Sequence, residues 1–510
     1  VAGSLPPATA PTSSRVPGAQ QSLQSAHLSF GAEHGGGVQA VRLASAAQGA
    51  AAPCRSTAWG SAGAVGSGIG GVASDSKSFD SATLLELRSQ VEVLREELRN
   101  VRANLEHSQL RTRVELEFEE VLLCLFAGGV AELVSTAFAA IKEDGSVVTW
   151  GAAGYGGDSS AVAPLLMEGV VEICGTGGAF AAIKANGSVV TWGDADEGGD
   201  SSAVAQHLME GVVHVCGNYL AFAAIKADGS VVTWGNASSG GNSFAVAPLL
   251  TEGVVQVCGN QNAFAAIKAN GNVVTWGDVD GGGNSSAVAP LLMEGVVQVR
   301  GNYKAFAAIK ADGCVVTWGA ADSGGNSSAV APHLTEGVVQ VRGNYNAFAA
   351  IKADGSVVTW GSVYHGGNSA AVAPLLTEGV VEVCGTNGAF AAIKEDGSVV
   401  TWGNVYHGVN SAAVAPLLTE GVVEVCGNHF AFAAIKADGS VVTWGAAGYG
   451  GDSSAVAPRL MEGVVEVCGN QGAFAAIKAD GSVVTWGAAG YGGDSSALAP
   501  LLTEGVVQVC

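Results

Sequence analysis

The chain has 510 residues, only 13% of them charged, with 75 glycines and a formal net charge of −22. Neutralising a phosphate backbone needs surplus Lys and Arg, so direct nucleic-acid binding is not expected. No apolar run reaches the roughly 18–20 residues of a membrane span; the nearest, 121–134, is short and carries Glu132, so no membrane partner is expected either.

Residues 1–78 are rich in Ala, Ser, Gly and Pro, with Arg15, Arg42 and Arg55 and almost no acid. Such a composition suits an organelle transit peptide, but it holds too little large apolar material to fold, and disorder is the expectation. The chain starts at Val1 rather than Met, which leaves open a missing N-terminal targeting segment.

Over 79–120 the pattern changes. Leu84, Leu87, Val91, Leu94, Leu98, Val101 and Leu105 alternate steps of three and four, a heptad seam that Ser78 or Asp80 would cap. Glu97 and Arg102 sit where a parallel partner would pair them. A homodimer through 84–105 is expected, while a single amphipathic helix packed on the rest of the chain fits the same residues.

From residue 129 to 510 a 42-residue unit recurs nine times, marked by Trp150, Trp192, Trp234, Trp276, Trp318, Trp360, Trp402, Trp444 and Trp486. In one unit, "VVHVCG" (212–217), "AFAAIK" (221–226) and "SVVTWG" (230–235) read as three strands. Asp228-Gly229 between the last two supplies a tight hairpin turn. After a glycine-rich loop, "FAVAPLL" (244–250) is expected to add a short edge strand, since Pro248 lacks the N–H of a central one. Alternation in the first strand predicts that its second and fourth residues are buried, with Glu172, His214, Gln256 and Arg300 on a wet face. The two later strands are apolar throughout, as when neighbouring sheets cover both faces.

Repeated sheets of this size predict an all-β propeller of nine blades. The strand "VVQVC" (506–510) is expected to complete the sheet begun by 137–150 and so close a ring. An open superhelix, or seven blades with two left over, is the alternative. A degenerate tenth copy of the strand falls at 130–134.

Of ten cysteines, seven follow the repeat, and Arg300 and Arg342 replace two more. A disulfide framework would not survive that exchange, so free thiols and an intracellular location (cytoplasm or nucleus) are expected. Neither Cys nor His falls at zinc spacing, and no metal or cofactor is expected. Asp194, Asp196 and Asp200, with Asp278 and Asp280, resemble calcium loops, yet most copies lack these carboxylates, so they read as polar turn residues. The lysine set from Lys142 to Lys478 reads as solvated residues beside their own turns rather than a basic annulus.

The pattern "DGSVVTWG…GG…P…GVVEVCGN…AFAAIK" resembles the regulator of chromosome condensation repeat. That resemblance covers about three quarters of the chain. It implies a β-propeller, usually seven-bladed, in a family that includes exchange factors for the small GTPase Ran, recruiting parts of ubiquitin ligases and a bacterial inhibitor of β-lactamase. Here the repeat is shorter than the family's, and its loop reads "GYGGDSS" or "YHGGNS" in place of Gly-Gln-Leu-Gly. The expected function is a non-catalytic protein-interaction scaffold, with a GTPase regulator or a ligase recruiting module as the family's alternatives. No enzyme chemistry is expected. Partner specificity should reside in the loops that vary, at Tyr155, Tyr364, His365, Tyr406, His407, Tyr449 and Tyr491.

Overall fold

A hairpin turn sets the geometry of each repeat. In the computed structural model, which describes residues 135–510, Gly229 donates its N–H to the Lys226 carbonyl at 2.7 Å, and Lys226 donates to Ser230 at 2.9 Å. The Asp228 carboxylate accepts the Ser230 N–H at 2.9 Å, holding the turn from within. Gly229 has φ +74°, and a Cβ there would lie 2.5 Å from the Gly253 nitrogen, so both backbone angle and space demand glycine. The turn is a three-residue loop closed by a left-handed glycine.

Nine three-stranded antiparallel sheets result. In sheet 3 the lead strand is Val212–Gly217, the middle strand Ala221–Lys226 and the Trp strand Val231–Gly235. Sheets 2 to 9 all follow this order, starting at Val170, Val212, Val254, Val296, Val338, Val380, Val422 and Val464. Sheet 1 differs: its middle and Trp strands are Ala137–Lys142 and Val147–Gly151, and its third strand is Val506–Val509 from the far end of the chain. The readings for 1–78, 79–120, the 84–105 seam and 130–134 lie outside the described residues.

Three expectations need correction, the first being the wet face of the lead strand. Arg300 is 3% exposed and Glu424, at the position of Glu172 and His214, 2%, because neighbouring lead strands lie side by side and cover one another. Phe244–Leu249 is a 3-10 helix rather than a fourth strand, with Pro248 inside it. Its fixed φ fits the tight turn, and the following Leu250 carbonyl accepts the Val231 N–H at 2.9 Å, covering the edge of the Trp strand. In the lead strand, Val213 is exposed rather than buried. A β-bulge between Val212 and His214 leaves Val213 opposite no partner and turns it outward, breaking the simple alternation.

The middle strand explains why the sheets stack. Phe222 and Ala224 pack on Ala179, Ala181 and Ile183 of sheet 2, while Ala221, Ala223 and Ile225 pack on Phe264 and Trp276 of sheet 4. Each Phe therefore faces backward into a bed of alanines small enough to admit it. Phe222 and Trp234 stack with centroids 5.1 Å apart. The Trp234 indole N–H then reaches back to the Gly198 carbonyl at 3.0 Å. Eight of the nine repeat tryptophans make this bond to the preceding loop, and among them Trp444 alone does not.

The two ends of the array meet. Cys510 and Ala139 exchange both backbone hydrogen bonds, at 2.8 and 2.9 Å. Phe138 and Trp150 pack against Ala473, Ala475 and Ile477 of sheet 9, and Trp150 donates to the Gly492 carbonyl at 3.2 Å. Gln471 also donates to the Ser135 carbonyl at 3.2 Å. On its other side sheet 1 packs on sheet 2 through Ala137, Ala139 and Ile141.

Removing 506–510 tests this junction. Val506 and Val509 are buried, and at about 1.5–3 kcal/mol each the truncation should destabilise the protein by roughly 3–6 kcal/mol. A clear fall in the urea midpoint is expected; an unchanged midpoint would mean that the last strand adds nothing to sheet 1.

Candidate functional site

The loop after each Trp strand is built to hold one residue in a fixed place. In 236–241 the Asn236 side chain accepts the Ser238 and Ser239 N–H groups, and Gly240 ends the turn at φ +97°. A Cβ on Gly240 would lie 2.7 Å from the Phe264 ring, so the loop rests directly on the next sheet's core. Asn218 then clamps it, donating to the Ser239 carbonyl at 2.5 Å while its Oδ1 accepts the Leu220 and Ala221 N–H groups. This clamp places the loops beside the short turns that join lead and middle strands, on one face of the array.

The sequence-derived residues divide on this face. Tyr364 and Tyr406 are 79% and 80% exposed, and Tyr155 is 44% exposed. His365 is partly covered, with Nδ1 2.9 Å from the Ser362 hydroxyl, and stacks on Tyr345. Tyr345 in turn stacks on Tyr303 at 3.9 Å, and the Lys304 ammonium lies 5.6 Å over the Tyr303 ring. His407, His429, Phe430 and Tyr449 form a second aromatic cluster, with Phe430 4.7 Å from His407 and 4.9 Å from Tyr449. Tyr155 and Tyr491 join neither cluster; their rings lie beside Gly178 and Gly472, where a Cβ would collide with them. Tyr303, Lys304, Tyr345, His429 and Phe430 escaped the sequence reading. Their signal was present, because the two residues after each Gly-Asn or Gly-Thr also vary from copy to copy.

The acidic loops cap turns. Asp194 accepts the Asp196 N–H at 2.9 Å, and Asp200 accepts the Ser202 N–H at 2.8 Å. Glu197 is pushed up to about 7, mainly by burial and then by the charges of Asp194 and Asp196. Among the described residues no group of three or more His, Cys, Asp or Glu is arranged to hold a metal ion. The lysines of the middle strands lie toward the hairpin turns. Lys184 donates to the Leu165 carbonyl at 2.8 Å, and Lys226, Lys268 and Lys436 repeat this bond. Their ammonium groups thus hold the end of a 3-10 turn.

Adjoining lead strands place a row of polar side chains side by side. His214 pairs with Glu172 at 3.0 Å. Glu382 and Glu466 are each pushed up to about 7, burial being the first cause, and Glu424 between them is raised well above the ordinary carboxylate range by burial and by both neighbours. Burial likewise takes the Cys384 thiol up to about 12 and raises Cys174 and Cys426, so these thiols lack the thiolate character that reactive cysteines need.

The class of protein these features define is an all-β repeat protein of propeller-type sheets with one variable loop face. No family model and no curated protein matches the chain. Among solved structures, yeast RCC1 (Prp20) bound to Kap60 aligns with a TM-score of 0.37 and 14% identity, over 67% of this chain and 89% of that one. Prp20p from Saccharomyces cerevisiae gives 0.35 and 15%, over 61% and 80%. The computationally designed Ika8 protein gives 0.31 and 14%, over 62% and 96%. The fold stands on the sheets themselves and not on likenesses this weak.

The buried carboxyls predict a pH effect. Their folded values lie above the ordinary 4.5, so their favourable contribution is full below that pH and is lost as pH rises through about 7. The melting temperature should fall between about pH 4.5 and pH 7, and less so in Glu424→Gln. Equal slopes for both proteins would show that Glu424 is already ionised.

Proposed function

We propose that the nine sheets close into a single ring and that the protein is a non-catalytic interaction scaffold of the regulator of chromosome condensation type. Partners dock on the loop face. The observation that carries this reading is the contrast within each repeat. Turn, middle strand and Trp strand are almost invariant from copy to copy, whereas the loop positions change from Glu197 to His365, His407 and Tyr449. Tyr364 and Tyr406 stand far into solvent there, with no packing role that explains them. Large amphipathic rings that cost little entropy to fix are what protein interfaces concentrate. A closed ring supports such use, since its shared edges hold the loops rigidly. In this reading the 84–105 seam pairs two chains and presents two such faces.

The test compares capture by the full chain and by Tyr364→Ser/Tyr406→Ser. Proteins retained from an extract should fall by about tenfold or more in the double variant, with stability changed by less than about 0.5 kcal/mol. Undiminished capture would remove the loop face from the account. Stimulated nucleotide exchange on a captured GTPase would replace the scaffold reading with a regulatory one.

A further inference from the structure

We propose that the seam between sheet 7 (380–403) and sheet 8 (422–445) is the weak joint of the array, and that the array opens there first. This goes beyond the scaffold reading and does not depend on it, because a weak joint is a property of two adjacent sheets.

The weakness begins at a single residue. Val409 stands where the eight other copies of the loop have glycine. At those eight glycines a Cβ would lie 2.4–2.7 Å from the backbone of the glycine six residues earlier. Valine cannot occupy that space, so the loop after sheet 7 takes another path. In the other loops the glycine N–H donates to the carbonyl five residues back, at 2.7–3.1 Å. Val409 makes no such bond, and its carbonyl instead accepts the Ser411 N–H at 2.9 Å. The Thr–Ser hydroxyl contact of the same loop lengthens to 3.4 Å (Thr401 to Ser411), against 2.9–3.1 Å elsewhere.

The displaced loop then fails its neighbour. Trp444 of sheet 8 should donate to the Gly408 carbonyl, as every other Trp does to its own glycine, yet its indole N–H is buried without a partner. The Phe432–Trp444 stack survives at 5.2 Å, so the loss is specific to the hydrogen bond. A buried donor left unpaired costs more than the bond itself contributed.

Glu424 loads the same sheet at its lead strand. It is 2% exposed, and its Oε2 has no hydrogen-bond partner. Glu382 and Cys384 face it from sheet 7 and Glu466 from sheet 9, while Cys426 on its own strand faces Cys384 and Cys468. Ile435, opposite it on the middle strand, cannot titrate. Arg342, the cation nearest this row, acts on Glu382 and Cys384. Loss of the Glu424 proton therefore adds like charge to the row, and alkaline pH favours opening. The contacts that oppose opening include the Val422 N–H bond to the Gly397 carbonyl at 3.1 Å, His407 Nδ1 3.0 Å from the His429 carbonyl, Asn387 bonded to the His429 ring, and Val409 packed on the apolar cluster shared by the two sheets.

Hydrogen–deuterium exchange on the full chain tests the proposal. Residues 404–427, loop and lead strand together, should exchange about tenfold faster than 236–259 and 362–385. Val409→Gly should bring 404–427 to the rate of the other two. Glu424→Gln should slow it at about pH 8.5 but not at about pH 4, below the ordinary carboxylate value, after correction for intrinsic rates. Protection of 404–427 equal to its counterparts would overturn the proposal, as would fast exchange confined to 404–421 with 422–427 protected. No response to Val409→Gly would also overturn it.

Discussion

The structure depends on a clasp between neighbours: an indole N–H reaching back to a glycine carbonyl in the previous loop. The Trp is placed by stacking on the Phe of its own middle strand, with centroids 5.1–5.4 Å apart in all nine sheets. The glycine is placed by a left-handed turn that only glycine adopts freely. One such stack contributes about 0.5–1.5 kcal/mol and one such hydrogen bond about 1 kcal/mol. Repeated at almost every junction, they become the nearest-neighbour terms that hold a repeat array together. Because no sheet can cover its own faces, each is stable only through the next. That makes the ends of the array its natural weak points, and Val506–Val509 pairs with Ala137–Lys142 there.

Much of this was legible in the residues. Asp-Gly turns, β-branched strands and the 42-residue step gave the hairpins, and the all-apolar "AFAAIK" announced sheets covered on both sides. The wrong readings have physical causes. Alternation in "VVHVCG" misplaced Val213 because a bulge inserts one unpaired residue, and no local pattern announces a bulge. "FAVAPLL" reads as an edge strand because a proline without an N–H fits a sheet edge as well as a 3-10 turn, and no local pattern decides between them. The two aromatic clusters were half visible, since Tyr345 and His365 lie 20 residues apart in sequence and meet only after the sheets stack. Glu424 was invisible as a perturbed carboxyl, for its burial depends on side chains 42 residues away on either side.

Division of labour follows from the clasp. Residues that serve it cannot vary, so chemical diversity is confined to positions the clasp holds in place without using. Tyr364 occupies such a position, on the loop that the Trp402–Gly366 clasp holds, whereas Tyr406 stands on the loop whose clasp is missing. Val409 shows the cost of variation one step further along: a change at a position that the clasp does use leaves Trp444 without its acceptor. A uniform frame with a variable rim keeps its chemical diversity in the loops.

The central claim is closure of the array, and a zero-length cross-link between Lys142 and Glu504 tests it most directly. Lys142 Cε lies 3.6 Å from where a Cβ on Gly505 would sit, which places the lysine beside the segment that carries Glu504. The account predicts this cross-link within single chains, at a yield matching the equivalent Lys184–Glu168 pair. Its absence from monomers while Lys184–Glu168 forms, or its appearance only between chains, would show an open array and contradict the account.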